Sequence, residues 1–437
     1  MKLIQTIKNI WKIEDLRKRL TITFLFILIY RFGCQVVLPG IDPLQLDGLK
    51  SFAKDTGLMQ LLDMFSGGAF SQASIFALGI MPYITASIVV QLMGMVVPSF
   101  QKMQREGESG RMKLNQYTRY LTVIILVVQA YAYLLNLQHQ TGGIVSVAGW
   151  NMLFLTIVLT AGGMFIMWLG EKITDKGIGN GISLIIFVGI IARFPTAITQ
   201  EFVGRLTTAQ GGLVMFLIEI IVLFAVTAGA VMLTQGTRKV PVQYAKRIVG
   251  NKQYGGARQY IPLKVNAANV MPIIFAQALM FIPITIAGFN RNSSGFAATF
   301  GDMNGFWYNL VYFLLIVAFT YFYTAITVRP TQMAEEMKKN SGFIPGIKPG
   351  KKTAEYLDSI MSRITFPGSL FLGIVAIMPA FARLLGVNQN FAQFFGGTSL
   401  LISVGVVLDT LQQIETHLRM HHYDGLMKSG KIKGRAS

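Results

Sequence analysis

Few side chains in this sequence have the type and spacing for bond-making chemistry. The histidines are His139, His417, His421 and His422. His417 and His421 are four apart and would share a helix face. No third ligand stands near them, and no H-E-x-x-H pattern occurs. The single cysteine, Cys34, excludes an internal disulfide and a Cys-rich metal site. Gly346-Ile347-Lys348-Pro349-Gly350-Lys351-Lys352-Thr353 resembles a phosphate loop superficially, but Lys352 stands where a Walker A motif needs Ser or Thr. Gly177-Ile178-Gly179-Asn180-Gly181 reads better as a turn than as a nucleotide cradle. The expectation is therefore a non-enzyme, without cofactor, metal or energy-coupling motor of its own. Two acids, Glu219 and Asp409, fall within apolar runs. Facing lipid at mid-depth, each would cost several kcal/mol. Asp409 lies close enough to the end of its run to reach an interface; the role of Glu219 stays open.

The elements that would carry these residues are membrane helices. Of the 437 residues, 52% are apolar and 14% charged, and mean hydropathy is +0.51. Soluble domains carry about 25% charged residues. Many apolar blocks exceed the roughly 18 residues that mark a spanning helix. They are too long, and lack the alternation, for a membrane barrel. Spans are expected at roughly 20–38, 75–97, 117–136, 150–170, 181–200, 211–233, 268–288, 307–328, 366–385 and 396–414. The fold class is thus an all-α membrane protein with ten transmembrane helices.

Net charge is +19, but the basic residues sit in loops between apolar blocks. The aromatics lie mostly inside the blocks, so the stacking platform of a nucleic-acid channel is missing; contact with ribosomal RNA through a loop stays open. With the N-terminus inside, 32 of the 39 Lys and Arg fall in inner segments. This asymmetry places both termini on the cytoplasmic side of the membrane. Residues 1–19 lack the features of a cleavable signal. Leu3, Ile7, Ile10 and Trp11 form one face there, which suits either a surface-lying helix or a plain basic leader.

Ten spans divide into five plus five, and since five is odd the second half is inverted. The expected organisation is an N-terminal segment 1–19, a first half 20–200, a second half 201–414 with large inner loops 234–268 and 329–363, and a basic tail 415–437. Ile80-Met81-Pro82-Tyr83-Ile84 opens span 2, and Val270-Met271-Pro272-Ile273-Ile274 opens its counterpart, span 7. Proline-interrupted helices at matching places of inverted repeats point to a transport path between the repeats. Before span 2 lies Leu61-Leu62-Asp63-Met64-Phe65-Ser66-Gly67-Gly68-Ala69-Phe70-Ser71, too short to cross and best read as re-entrant. At membrane depth it must be enclosed by protein, as a plug or a pore wall.

These motifs together resemble the SecY family of protein-translocase channels. The resemblance rests on Pro39-Gly40-Ile41-Asp42, on Met64 to Ala69 running into Ala73-Ser74-Ile75-Phe76-Ala77-Leu78-Gly79-Ile80-Met81-Pro82, and on Gly177 to Ser183. It continues through Tyr244-Ala245-Lys246-Arg247, Pro262-Leu263-Lys264-Val265-Asn266 and Gly396-Gly397-Thr398-Ser399-Leu400-Leu401-Ile402. The family implies two five-helix halves around an hourglass pore, and a seam between helices 2–3 and 7–8 that opens sideways to lipid. It implies a waist of apolar side chains, carried by matching motifs onto Ile80, Ile84, Ile182, Ile186, Ile274 and Ile402. It also implies a short plug helix over about Leu61 to Ser74, adding Gln72, Ala73 and Ser74 to the segment above.

Isoleucine suits such a waist: it is stiff at χ1 and offers a passing chain no hydrogen bonds. By the same resemblance Arg238, Lys239, Lys246, Arg247 and Lys348 dock the ribosome or the SecA ATPase. Lys348 replaces the family's usual arginine and lacks its planar fork of donors. Implied partners are SecE-type and SecG-type small membrane subunits, SecA, the ribosome, signal-bearing polypeptides and the lipid bilayer, in the cytoplasmic (inner) membrane. The expected function is the central pore-forming subunit of a channel for unfolded secretory polypeptides; the alternative is a secondary transporter of a small solute or ion.

Overall fold

The computed structural model describes residue 11 and residues 13–41, 63–140, 149–207, 212–244, 247–249, 252–254, 258–268, 270–277, 279–280 and 305–428, and the structural statements that follow concern these residues. The chain is dominated by helices and divides into two compact units, residues 1–196 with 406–437, and residues 197–405.

The first unit begins with α1 (Glu14–Gly33). Glu14 and Asp15 in its first turn complement the helix dipole and pair with Lys18 and Arg19 one turn on. Next come α2 (Met81–Val96), the short α3 (Pro98–Arg105), α4 (Glu108–Gln140) and α5 (Trp150–Lys176). Pro82 lies in the first turn of α2, where its missing N–H breaks no helical bond. α6 (Gly181–Thr207) starts in this unit and runs on into the second.

The Gly177–Gly181 stretch is the turn into α6, as its composition suggested. Asn180 Oδ1 accepts from the N–H groups of Ile182 and Ser183 at 3.1 and 3.4 Å, capping the helix. The Ile178 N–H donates to Thr23 Oγ1 at 3.1 Å, and the Gly179 N–H to Gln413 Oε1 at 2.8 Å. Gln413 belongs to α12 (Gly397–Lys428), which explains why the later part of that helix groups with the first unit. α12 extends well past residue 414, into what the sequence suggests is tail.

The second unit holds α7 (Gly212–Gln235), α8 (Phe306–Thr327), α9 (Pro330–Lys339), α10 (Lys351–Leu384) and α11 (Gln389–Ala392). Residues 271–277 and 279–280 are helical, with Pro272 again in the first turn. Each of the ten expected spans overlaps a helix. Among the described residues seven helices are long and apolar enough to cross a membrane, eight if the bent pair Met81–Gly94 and Pro98–Gln104 counts as one. α1 is outside that set because its first two turns are charged. Much of the expected span 268–288 lies outside the described residues.

Loop 234–268 is more ordered than its Gly- and Pro-rich composition suggests. β1 (Thr237–Tyr244) pairs antiparallel with β4 (Arg258–Lys264), from Thr237↔Lys264 to Gln243↔Arg258. β5 (Gly342–Phe343) adds to the other edge of β1, giving the order β4-β1-β5. β2 (Arg247–Val249) and β3 (Lys252–Tyr254) form a separate antiparallel pair beyond β1. Val240 and Val242 alternate with exposed neighbours on β1 and turn inward. With Leu263, Met337, Ile344, Leu357 and Met361 they form a hydrophobic core that ties the sheet to α9 and α10.

Candidate functional site

Residues 63–74, most of the segment expected to be a plug, are held in the first unit by hydrogen bonds from several elements. Residues 63–65 are helical, and residues 66–80 proceed through turns rather than continuing the helix. Gly67 and Gly68 explain the break, with φ of +66° and +96°, values that side-chain-bearing residues rarely adopt. All of residues 63–74 are buried except Gln72, which is half-buried. Leu61 and Leu62, the first two residues of the expected plug, lie outside the described residues.

Burial leaves this segment's backbone dependent on protein partners. From α1, Tyr30 Oη donates to the Ser66 carbonyl at 3.3 Å and Arg31 Nη1 to the Gly67 carbonyl at 3.0 Å. From α4, Tyr133 Oη donates to the Phe70 carbonyl at 2.9 Å. Within the segment, the Phe70 N–H donates to Ser66 Oγ at 3.1 Å and the Ser71 N–H to Asp63 Oδ1 at 2.8 Å. Arg193 on α6 pairs with Asp63 Oδ2 and donates to Ser71 Oγ at 3.2 Å. The end of the segment runs antiparallel to the chain after α1, where the Leu38 N–H donates to the Ala73 carbonyl at 2.9 Å. Apolar packing completes the seat: Phe70, Ala73 and Ala77 join Leu134, Leu137 and Leu159 in one core.

Of the six waist candidates, Ile80, Ile84, Ile182 and Ile186 lie in the first unit and Ile274 and Ile402 in the second. Ile80, Ile186 and Ile402 are buried, and Ile84, Ile182 and Ile274 are half-buried. Ile80 caps α2, its carbonyl accepting from the Ile84 N–H at 3.2 Å. The glycine pair before Ile402 has a local cause. Pro379 in α10 has no N–H for the Val375 carbonyl, and Gly396 packs there so closely that a Cβ would fall 2.2 Å from that oxygen.

The docking candidates Arg238 and Lys239 are exposed on β1, and Lys348 is exposed in the turn before α10. Lys246 falls outside the described residues, as does the side chain of Arg247, whose backbone opens β2. A cavity of about 680 Å³ lies between β1 and α10, lined by Arg238, Lys239, Tyr356 and Arg363 among others.

The acids resolve differently. Asp409 is exposed, with Gln413 Nε2 3.5 Å from its Oδ2. Glu219 is buried and paired: Arg205 Nη2 lies 2.5 Å from its Oε1, and Arg205 Nε donates to Glu201 Oε1 at 2.8 Å. Arg205 also donates to the Gly386 carbonyl at 2.9 Å, and Glu201 Oε2 accepts from the Asn388 N–H at 2.8 Å. Of this cluster the sequence alone singles out only Glu219, not Glu201 or Arg205. The i,i+4 spacing of Glu201 and Arg205 was the available signal.

The sequence pattern of the SecY family matches residues 74–411. The chain belongs to the SecY family. It is 44% identical over 436 residues to the protein translocase subunit SecY of Streptomyces scabiei, covering 96% of this chain and 98% of that one. The Thermotoga maritima subunit is 41% identical over 441 residues, covering 99% of each. Two solved structures share the fold at 19% identity over 92% of both chains. One, of a protein-conducting channel, has a TM-score of 0.60; the other, from work on the plug domain of SecY and its membrane seal, has 0.62. Sec61 in a canine ribosome–channel complex gives 0.54, at 18% identity and the same coverage.

Proposed function

We infer that this chain is the pore-forming subunit of a protein-conducting channel, which passes unfolded polypeptides across a membrane and releases membrane segments sideways into lipid. The observation that carries this reading is the relationship to translocase subunits SecY over nearly the whole chain. The transporter alternative finds no support among these relatives, and Glu219, its best candidate ion ligand, is already engaged by Arg205.

Finer points extend that reading. The proposed waist uses Ile80, Ile84, Ile182 and Ile186 of the first unit with Ile274 and Ile402 of the second. An apolar constriction accepts any sequence yet opposes ions, each of which gains about 2.3 kcal/mol per 100 mV on crossing. The proposed plug is the segment 61–74; its burial and dense hydrogen bonding over 63–74 support a defined resting seat. Arg238, Lys239, Lys246, Arg247 and Lys348 are the proposed contacts for the ribosome or the SecA ATPase, and SecE-type and SecG-type subunits are the proposed membrane partners. The proposed setting is the cytoplasmic membrane with both termini inside, for which the distribution of Lys and Arg is the support. As a channel subunit moved by its partners, the chain needs no catalytic residues.

Crosslinking tests the reading. A cysteine replaces Ile84, Cys34 is removed, and a second cysteine is set midway along a stalled secretory polypeptide. Vesicles receive the small subunits and SecA. A crosslink that needs both ATP and a signal segment is the expected result; its absence during proven translocation would move the pore axis away from Ile84.

A further inference from the structure

We propose that Asp63 and Arg193 form a charged latch that holds the re-entrant segment in its seat, with Arg193 as the positioning residue. The proposal rests on reading that segment as the plug. Asp63 is the one charged residue between positions 63 and 80. Its side chain is 5% exposed, whereas that of Arg193 is 35% exposed and reaches in from α6, 130 positions along the chain. A buried carboxylate needs a countercharge and hydrogen bonds to be tolerated, and here it has both. One oxygen takes the guanidinium; the other accepts from the Ser71 N–H.

The same Arg193 Nη2 also donates to Ser71 Oγ at 3.2 Å. Arg193 therefore grips both ends of the loop from Asp63 to Ser71, while Arg31 holds its middle through the Gly67 carbonyl. The two grips differ in kind. Arg31 binds a backbone carbonyl, and its charge has no acid opposite it in the segment. The Asp63–Arg193 pair is a charge-to-charge contact between the segment and a spanning helix, so it exists only while the segment is seated. Unseating separates the ions and exposes each to a new environment. That makes the pair a threshold against spontaneous opening, in addition to the apolar packing of Phe70 and Ala73.

Asp63 has a second role, as cap for the Ser71 N–H within the loop, and the test must separate the two. Asp63→Asn keeps a carbonyl oxygen for Ser71 but removes the charge. Arg193→Gln removes the countercharge and leaves the loop's own bonds intact. Arg193→Lys keeps the charge. The full-length chain, supplied with SecE-type and SecG-type subunits, is reconstituted into vesicles, and resting ion leak is measured without substrate. Asp63→Asn and Arg193→Gln should each raise the leak several-fold. The double variant should leak no more than either single one, because both remove the same interaction, and Arg193→Lys should stay near the parent. Deleting residues 64–72 is the control for the plug itself. If the deletion leaks while Arg193→Gln is as tight as the parent, the latch is wrong and the plug reading stands. If the deletion is tight as well, both fail. Additive leaks in the double variant would assign the two residues separate structural roles and overturn the latch.

Discussion

Tyr133 meets Phe70 twice: its hydroxyl donates to the Phe70 carbonyl at 2.9 Å, and the two rings cross edge to face with centroids 4.9 Å apart. One residue of α4 thus satisfies a buried backbone group and packs the side chain of the same residue. The two contributions can be separated. Tyr133→Phe keeps the ring contact and strands the carbonyl, which should cost about 1–3 kcal/mol, the penalty for an unsatisfied buried group. Tyr133→Ala removes both and should cost about 3–5 kcal/mol. Thermal unfolding of the detergent-solubilised protein reads the difference; Tyr133→Phe melting like the parent would mean the hydroxyl contributes nothing, and equal losses in the two variants would mean the ring contact contributes nothing.

Gly189 on α6 lies against the segment's backbone, where a Cβ would sit 2.8 Å from the Phe65 carbonyl oxygen and 3.2 Å from the Gly67 nitrogen. Both neighbours are main chain and cannot swing aside. Gly189→Ala should cost about 1–3 kcal/mol as overpacking, and should increase protease cleavage between residues 63 and 74. An alanine variant with unchanged melting and cleavage would show that the segment sits further from α6.

Arg205 balances two buried carboxylates. Arg205→Met leaves Glu201 and Glu219 without a countercharge and should lower stability by about 3–5 kcal/mol. Glu219→Gln leaves the Glu201–Arg205 pair balanced, and among the described residues Glu219 Oε2 has no hydrogen-bond partner to lose. Its cost should stay within about 1.5 kcal/mol, one ordinary hydrogen bond. Melting curves of the two variants should therefore separate widely, and coincident curves would count against the cluster as a structural clamp.

Arg238 and Lys239 are exposed near the start of β1, and Val240 and Val242 further along bind the strand to its core. Reversing both charges to Glu should weaken ribosome binding without unfolding the sheet. If they bind phosphates, the dependence of log affinity on log salt should flatten by about one unit for each phosphate that is no longer neutralised. Co-sedimentation with ribosomes across a salt series measures this; unchanged slopes would place the docking surface elsewhere.

The helical architecture was legible because span length and loop charge are local quantities. Each expected span overlaps a helix, and the prolines at 82 and 272 fall in first turns. The sheet was less legible. Val240-Pro241-Val242-Gln243 has the alternation of a strand, but proline at its centre argues for an edge or a loop, and β1 is flanked on both sides only because β5 arrives from residue 342. The anchoring of the re-entrant segment was not legible at all. Asp63 and Arg193 are 130 positions apart, and nothing in the spacing of either residue announces the other. Arg205 and Glu219 are hidden differently: both are visible in the sequence, but Arg205 lies just before the apolar run that holds Glu219, and a reading span by span does not pair them.

The union of the small sheet with α10 has a mechanical consequence. α10 has 34 residues, a length of about 51 Å at 1.5 Å per residue, and its first turns share a core with β1 and β4. Any partner that tilts the sheet therefore tilts one end of a lever whose far end is deep in the apolar part of the chain. Pro367 and Pro379 interrupt that rod, so the torque need not arrive whole. Bending would concentrate at the carbonyls of Arg363 and Val375, which the two prolines leave without a helical donor.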